Sequence, residues 1–562
     1  MLLIGAVLAL LGVSARLVHL QVVAPDAYVE RGVAQRLRTV ELPALRGSIF
    51  DRNGRELALA VRQHSVWADP LLIADPAEAA TRLAAVLHVD ERELRRRLSG
   101  EGSRFVYLAR QVDDDAAAAV SALELDGVAL LDEPHRFRPA GDLALSVLGD
   151  VDIDNRGLSG LERQYDDRLS GETGKLLVEK GTDGRTIVEG EQRLEPATRG
   201  DDLVLTIDRS LQYHAEQALS AQVAATGADG GTAVVMQPRT GEILAMASVG
   251  SSSGGRAPRP TGDNVALTSV FEPGSTNKVI TIAGVLEEGV ADPHDRLAVA
   301  DSLQVGPKRF SDSEPHPTEV MSVTEVLARS SNVGTITLAQ RLGGDTLDGY
   351  LRRFGFGRTT GLGFPGESAG LVPDFDDWAS TSIGSIAIGQ GVAVNAVQML
   401  GALNTVATGG LHVPPRLVRS FVDASGTERP AEAAPGERVV SEETATAMKQ
   451  MLTEAVVDGT GGKAQVEGYP VAGKTGTARK PSTEIRGYEQ GAYMGVFAGF
   501  VPVDDPELSI IVVLDEPHPY YGGVVAAPVF ADIAGYALRQ MRIPPPLDTP
   551  PPVPAADAAI RD

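Results

Sequence analysis

The stretch Gly468 to Lys480, GYPVAGKTGTARK, fits two folds that exclude each other. Spelled G-x-x-x-x-G-K-[ST], it would be a phosphate-binding loop between a parallel strand and a helix. Spelled K-T-G, it would be a strand lying beside a serine nucleophile. The neighbouring residues decide between them. DGTGGKAQVE, which precedes Gly468, holds no apolar or β-branched run that could make the required buried strand. After Thr475, the residues Gly476, Pro481 and Gly487 leave no room for a helix of useful length. Ile510 to Glu516, IIVVLDE, resembles the acidic strand end that would hold Mg²⁺. It follows GAYMGVFAGFVP after only Val503-Asp504-Asp505-Pro506-Glu507, however, and strands joined by so short a turn run antiparallel. A phosphate loop belongs to parallel strands with helical crossovers. The phosphate-loop reading is set aside.

An antiparallel sheet also suits the rest of the C-terminal region. LVLTIDRSLQYHAEQALSAQVAA reads as a strand and then a helix, and TAVVMQPRTGEILAMAS as a hairpin turning at Pro238-Arg239-Thr240-Gly241. Thr276 to Ala407 carries mainly helical spacing, and VVAAPVFADIAGYALRQM reads as a closing helix. Strands at both ends with helices between them predict an α+β domain, an antiparallel sheet covered by helices. A chain of 562 residues needs more than one such core.

The K-T-G reading requires two partners upstream, and both are present. FEPGSTNK holds Ser275-Thr276-Asn277-Lys278, an S-x-x-K, and LARSSNVG holds Ser330-Ser331-Asn332, an S-x-N. Each is weak alone, but the three in order form a strong signal. Pro273-Gly274 starts a helix, so Ser275 sits in its first turn, where the helix dipole favours developing negative charge. Lys278 lies one turn on, within reach of the serine oxygen. A desolvated lysine among positive neighbours can be neutral and act as a base, which arginine cannot. The chain has 51 basic residues and only 8 are lysines, so two of them at these positions is informative. Ser330 can relay a proton, Asn332 can bind a peptide amide, and Lys474 supplies positive potential. Thr475, Gly476 and Thr477 line the strand, and its hydroxyls can hold a carboxylate. The backbone N–H groups of Ser275 and Thr477 would form an oxyanion hole.

Other classes are disfavoured. A net charge of −24 opposes nucleic-acid binding. With no cysteine and no histidine cluster, neither a metal site nor a cofactor is expected. Residues 1–23 combine LLIGAVLALLGV with LVHLQVV around Arg16, and no A-x-A cleavage site follows. They predict one uncleaved membrane anchor, with the bulk of the chain outside the cytoplasm. Residues 24–200 read as a support module, 201–543 as the acyl-serine domain, and 544–562 as a Pro-rich disordered tail.

RGSIFDRNGRELA, GLERQYD, FEPGSTNK, SSNVG, IGQGVAV, AGKTGTARK and YYGGVVAAPVF together resemble the class B penicillin-binding proteins, over nearly the whole chain. The last phrases look more like septal, cell-division members than side-wall elongation members. The resemblance implies a penicillin-binding transpeptidase fold with a five-stranded antiparallel sheet. It also implies a D,D-transpeptidase that cross-links peptidoglycan stem peptides from a D-alanyl-D-alanine donor to an amine acceptor. β-Lactams would acylate Ser275. A membrane glycosyltransferase of the shape, elongation, division and sporulation (SEDS) type and other division proteins would be partners, with Arg16 and its helix a candidate contact. A serine β-lactamase and a non-catalytic penicillin-binding scaffold are the rivals, disfavoured by the support module and anchor and by the intact Ser275, Lys278 and Lys474.

Overall fold

Three apolar runs, GGTAVVM, ILAMASVG and LSIIVVLD, are buried almost end to end, so both faces of the sheet they form must be covered. The computed structural model describes residues 2–19, 37–100, 103–179, 192–251, 257–482 and 487–546. Its central sheet has strands β1 (Gly230–Met236), β2 (Ile243–Gly250), β3 (Arg259–Pro260), β4 (Ala472–Pro481), β5 (Tyr488–Val501) and β6 (Leu508–Asp515). Their order is β3-β2-β1-β6-β5-β4, every pair antiparallel. The sheet therefore has six strands where five were expected. The addition is the two-residue β3, which pairs only with Val249 and Gly250 at the end of β2. A segment so short leaves no periodicity to read.

Helices α1 (Arg209–Thr226) and α2 (Ala527–Gln540) cover one face. Leu211, Leu219 and Val223 meet Phe530, Ile533 and Leu538 over Val235, Ile510, Val512 and Phe497. Each such large side chain contributes about 1.5–3 kcal/mol on burial. On the sheet also packs Ala396–Ala407, a helix in which all 12 residues are buried. It accordingly reads apolar all round (AVQMLGALNTVA) rather than striped.

The predicted helical stretch from Thr276 is interrupted. An antiparallel strand pair, Arg296–Val299 with Glu319–Ser322, and a hairpin nested between its strands, the second pair Ser302–Val305 with Lys308–Ser311, lie within it. The second delivers Asp312 to the site.

The chain divides into two units, each built from several stretches. One comprises residues 1–47, 60–136 and 167–201. Its core gathers Val66, Leu83, Leu94, Leu108 and Val120, and strand Leu37–Leu42 pairs with Gly174–Glu179. The other comprises 48–59, 137–166 and 202–562. In that second unit Ile49 and Phe50 run parallel to Leu203 and Val204. The D-R-N-G turn forms as read, with Asp51 Oδ1 accepting the Asn53 and Arg55 N–H groups and Gly54 at φ 77°. Asn53 donates to Asp208, the N-cap of α1, at 2.9 Å.

Leu2–Val18 is a helix of 17 residues. Among the described residues no helix is long and apolar enough to cross a membrane. Residues 20–23 of the expected anchor, and 547–562 of the expected tail, lie outside the described residues.

Candidate active site

Ser275 is placed by glycine. Gly274–Asn277 forms one 3₁₀ turn that feeds the helix Lys278–Glu287, with Gly274 at φ 53° and its N–H bonded to Gly389 O at 3.0 Å. The turn lies against β4: a Cβ on Gly476 would come within 2.9 Å of Pro273 O and 3.0 Å of Thr276 Cγ2. Ser275 is half-buried as the second residue of this turn, which begins after Pro273.

Lys278 is fully buried one turn on. Its Nζ donates to Ser330 O at 2.5 Å and Asn332 Oδ1 at 2.7 Å, and lies 3.3 Å from Ser330 Oγ. These bonds join the first motif to the second, whereas the spacing alone pointed Lys278 toward Ser275. Burial first, and then the charge of Lys474, hold the Lys278 amine well below the ordinary lysine range, against an upward pull from Asp312.

Ser330 adopts φ 61°, the left-handed region that non-glycine residues rarely enter. The turn lets the next residue, Ser331, cap the helix Asn332–Leu342 by accepting from the Gly334 N–H. Asn332 is then the first helical residue, its side-chain Nδ2 donating to Ser311 O at 2.9 Å.

On β4 the strand alternation separates the third motif into two sets. Lys474 and Gly476 share one side, and Thr475 and Thr477 the other. Lys474 is fully buried, and burial pushes its amine down to about 7. Its Nζ lies 3.3 Å from Thr475 Oγ1 and 3.5 Å from Thr460 Oγ1, and those two hydroxyls are 2.6 Å apart. Thr477 Oγ1 accepts the Gly522 N–H at 3.1 Å. Because β4 is the outer strand of the sheet, alternate N–H groups along it have no ladder partner.

Several neighbours went unread in the sequence. Asp312, 18 residues before Ser330, and His316 stand beside the second motif. Thr460 bridges to the third. Glu272 accepts the Gly391 N–H at 2.8 Å and the Tyr488 hydroxyl at 3.0 Å, and burial raises its carboxyl. Asp515 and Glu516, which had resembled a Mg²⁺-binding strand end, instead hold Lys480 at 2.9 and 2.8 Å.

Three motifs far apart in the chain thus converge around two buried, easily deprotonated lysines. Residues 231–535 match the penicillin binding protein transpeptidase domain, and residues 41–205 the penicillin-binding protein dimerisation domain. The chain belongs to the penicillin-binding protein transpeptidases. This penicillin-binding protein is 35% identical to the penicillin-binding protein PbpB of Mycolicibacterium smegmatis, over 98% of this chain and 91% of that one. It is 33% identical to the peptidoglycan D,D-transpeptidase FtsI of Escherichia coli K12, over 96% and 91%. Its fold is similar to the crystal structure of penicillin binding protein 3 from Mycobacterium tuberculosis complexed with aztreonam. That likeness has a TM-score of 0.71 at 32% identity, and covers 92% of this chain and 99% of that one.

Proposed function

We propose that this penicillin-binding protein is a septal peptidoglycan D,D-transpeptidase working through an acyl-Ser275 intermediate. The observation that carries the reading is the state of Lys278. Its two shortest contacts, Ser330 O and Asn332 Oδ1, are pure acceptors and use two N–H bonds. A neutral amine has only those two, so its lone pair remains for the Ser275 proton. The Ser275 oxygen attacks the penultimate D-alanine carbonyl carbon, with the backbone N–H groups of Ser275 and Thr477 facing the oxyanion. The C–N bond then breaks. The proton passes through Lys278 and Ser330 to the departing D-alanine nitrogen. An amine of a second stem peptide attacks the ester, loses a proton to the same base and restores Ser275. Asn332 holds the donor peptide amide.

Burial brings the Lys474 amine down to about 7, and a substrate carboxylate held by Thr475 and Thr477 along Gly476 would favour its charged form. Residues 1–23 serve as the anchor, residues 24–200 as support for the 201–543 catalytic part, and residues 544–562 as a tail. A SEDS-type glycosyltransferase and division proteins meet the chain at the membrane, and β-lactams are its covalent inhibitors.

Mass spectrometry after incubation with a labelled penicillin tests the chemistry. One lasting adduct on Ser275, absent in Ser275→Ala, is expected. No adduct would sink the reading in favour of a scaffold, and rapid loss of the adduct would favour a β-lactamase. A fluorescent fusion at the side wall rather than the septum would overturn the septal assignment.

A further inference from the structure

Asp312 carries four donors on two carboxylate oxygens. Oδ1 accepts the N–H of Asn332 at 2.5 Å and of Val333 at 2.9 Å. Oδ2 accepts the Ser331 hydroxyl at 2.7 Å and faces His316 Nε2 at 3.0 Å. All three partners on the second motif belong to the first turn of the helix that presents Asn332 to Lys278. An anion at a helix N-terminus, bonded to its free N–H groups, fixes where that turn begins.

The other ring nitrogen of His316 is also committed, Nδ1 lying 2.7 Å from Pro317 O. A backbone carbonyl only accepts, and an ionised carboxylate only accepts. Both ring nitrogens therefore need a proton. In neutral imidazole one lone pair would face an oxygen. The ring is nearly enclosed, with a tenth of its side chain exposed.

We propose that Asp312 and His316 form a positioning pair, complete only while His316 is an imidazolium, that holds Ser330 and Asn332 in register with Lys278. The inference rests on the acyl-serine reading, because register with Lys278 matters only if Lys278 takes the Ser275 proton.

The bond to the Pro317 carbonyl, followed by the bond to Asp312, raises the His316 imidazole above its ordinary range. Asp301 accepts the His316 backbone N–H, and Glu319 on the following strand adds negative potential while paired with Arg329 at 2.7 Å. Lys278, whose amine is acted on by the charges of both Lys474 and Asp312, bonds Ser330 and Asn332 of the second motif. Loss of the imidazolium proton has two consequences. It removes the positive charge from the bond to Oδ2, even in the tautomer that keeps Nε2–H on Asp312, and it costs the ring one of its two donated bonds, so the helix start is held less firmly. It also leaves the Asp312 charge uncompensated near Lys278, the direction that increases the amine's hold on its proton.

The test is the second-order rate of acylation by a fluorescent penicillin between about pH 6 and about pH 9, where a raised histidine titrates. Lys278 and Lys474 titrate as well, so the readout is the ratio of variant to wild type across pH. In His316→Gln the side-chain amide keeps a donor on Asp312 that does not titrate. Its rate at the acid end should fall within about threefold of wild type, and the ratio should rise several-fold toward alkaline pH. Asp312→Asn, which removes the acceptor, should slow acylation about tenfold or more at every pH. A His316→Gln ratio that is flat with pH overturns the pairing, and so does an Asp312→Asn variant acylated at the wild-type rate. If Asp312→Asn fails to fold, the His316→Gln ratio decides alone. A wild-type chain that forms no Ser275 adduct at any pH overturns both this inference and the acyl-serine reading. A normal adduct with a flat ratio overturns the inference only.

Discussion

Replacing Gly476 by alanine tests whether the closeness of β4 to the serine turn positions Ser275 for the proposed acylation. The new Cβ would lie 2.9 Å from Pro273 O, 3.0 Å from Thr276 Cγ2 and 3.3 Å from Val496 Cβ. Ordinary contact begins near 3.5 Å, so the turn and the strand must separate by about half an ångström. None of the three obstacles can step aside easily. Pro273 O already accepts the Thr276 hydroxyl at 2.7 Å, and Val496 sits on the neighbouring strand β5. Overpacking of this kind costs about 1–3 kcal/mol in stability. The effect on chemistry should be larger. A displacement on the order of 1 Å between reacting groups costs about a hundredfold, so half of that should slow acylation by about tenfold. Gly250→Ala, at the end of β2 with no atom within 4 Å of the new Cβ, is the control. Acylation kinetics with a fluorescent penicillin, alongside thermal melting, separate the two effects. If Gly476→Ala is acylated at the Gly250→Ala rate, the contact between turn and strand does not position the nucleophile.

Lys278→Met keeps the volume of the buried stem and removes the proposed base; Ser275 adduct formation should fall at least a thousandfold, with the melting temperature little changed, because the relief of desolvating a buried amine offsets the bonds lost at Ser330 O and Asn332 Oδ1. A melting temperature lowered as much as the activity would refute the assignment of Lys278 to chemistry. Glu216, buried on α1 and accepting from the Ala144 N–H and Gln212, has its carboxyl raised to about 7 by burial. Its folded value exceeds its unfolded one, so the native state binds the extra proton. The Glu216 contribution to stability should therefore be fully present below about pH 4.5 and be lost, by about 3 kcal/mol, as pH rises through 7. Glu216→Gln should flatten that part of the profile in denaturant titrations, and an unchanged slope would discard the account.

The parts of the fold that could be read from sequence were those set by neighbours in the chain. β5 and β6 are apolar runs with a short turn, and the hairpin β1–β2 carries its Gly241 at φ 68°. The serine turn followed from Pro273-Gly274. What could not be read depended on side chains meeting across long separations. Asp312 has no motif of its own and gains meaning only from a hairpin that folds it against Ser331 and Asn332. The short turn before Asp515-Glu516 was enough to set aside a Mg²⁺-holding strand end, but that the pair holds Lys480 depends on where β4 lies. RGSIFDRNGRELA was read as part of the support module. Residues 48–59 pack in one unit with 202–562, where Asp51 and Asn53 bond to Arg209 and Asp208, while the family's dimerisation domain spans residues 41–205. The direction of Lys278 was also missed, since one helical turn permits contact with Ser275 but does not say what else competes for the amine.

The parallel pairing of Ile49 and Phe50 with Leu203 and Val204 bears on how the chain folds as it is made. The early strand leaves the ribosome about 150 residues ahead of its partner, and at about 5–20 residues per second that is a wait on the order of ten seconds. Until Leu203 arrives, that strand has an unpaired edge, and the intervening stretches 60–136 and 167–201 must build their own core in the meantime. The catalytic unit cannot close its sheet of residues 49–50 and 202–205 until most of the other unit has been synthesised. The order of assembly is thereby written into the topology, with the unit that carries no acyl-serine motif coming first.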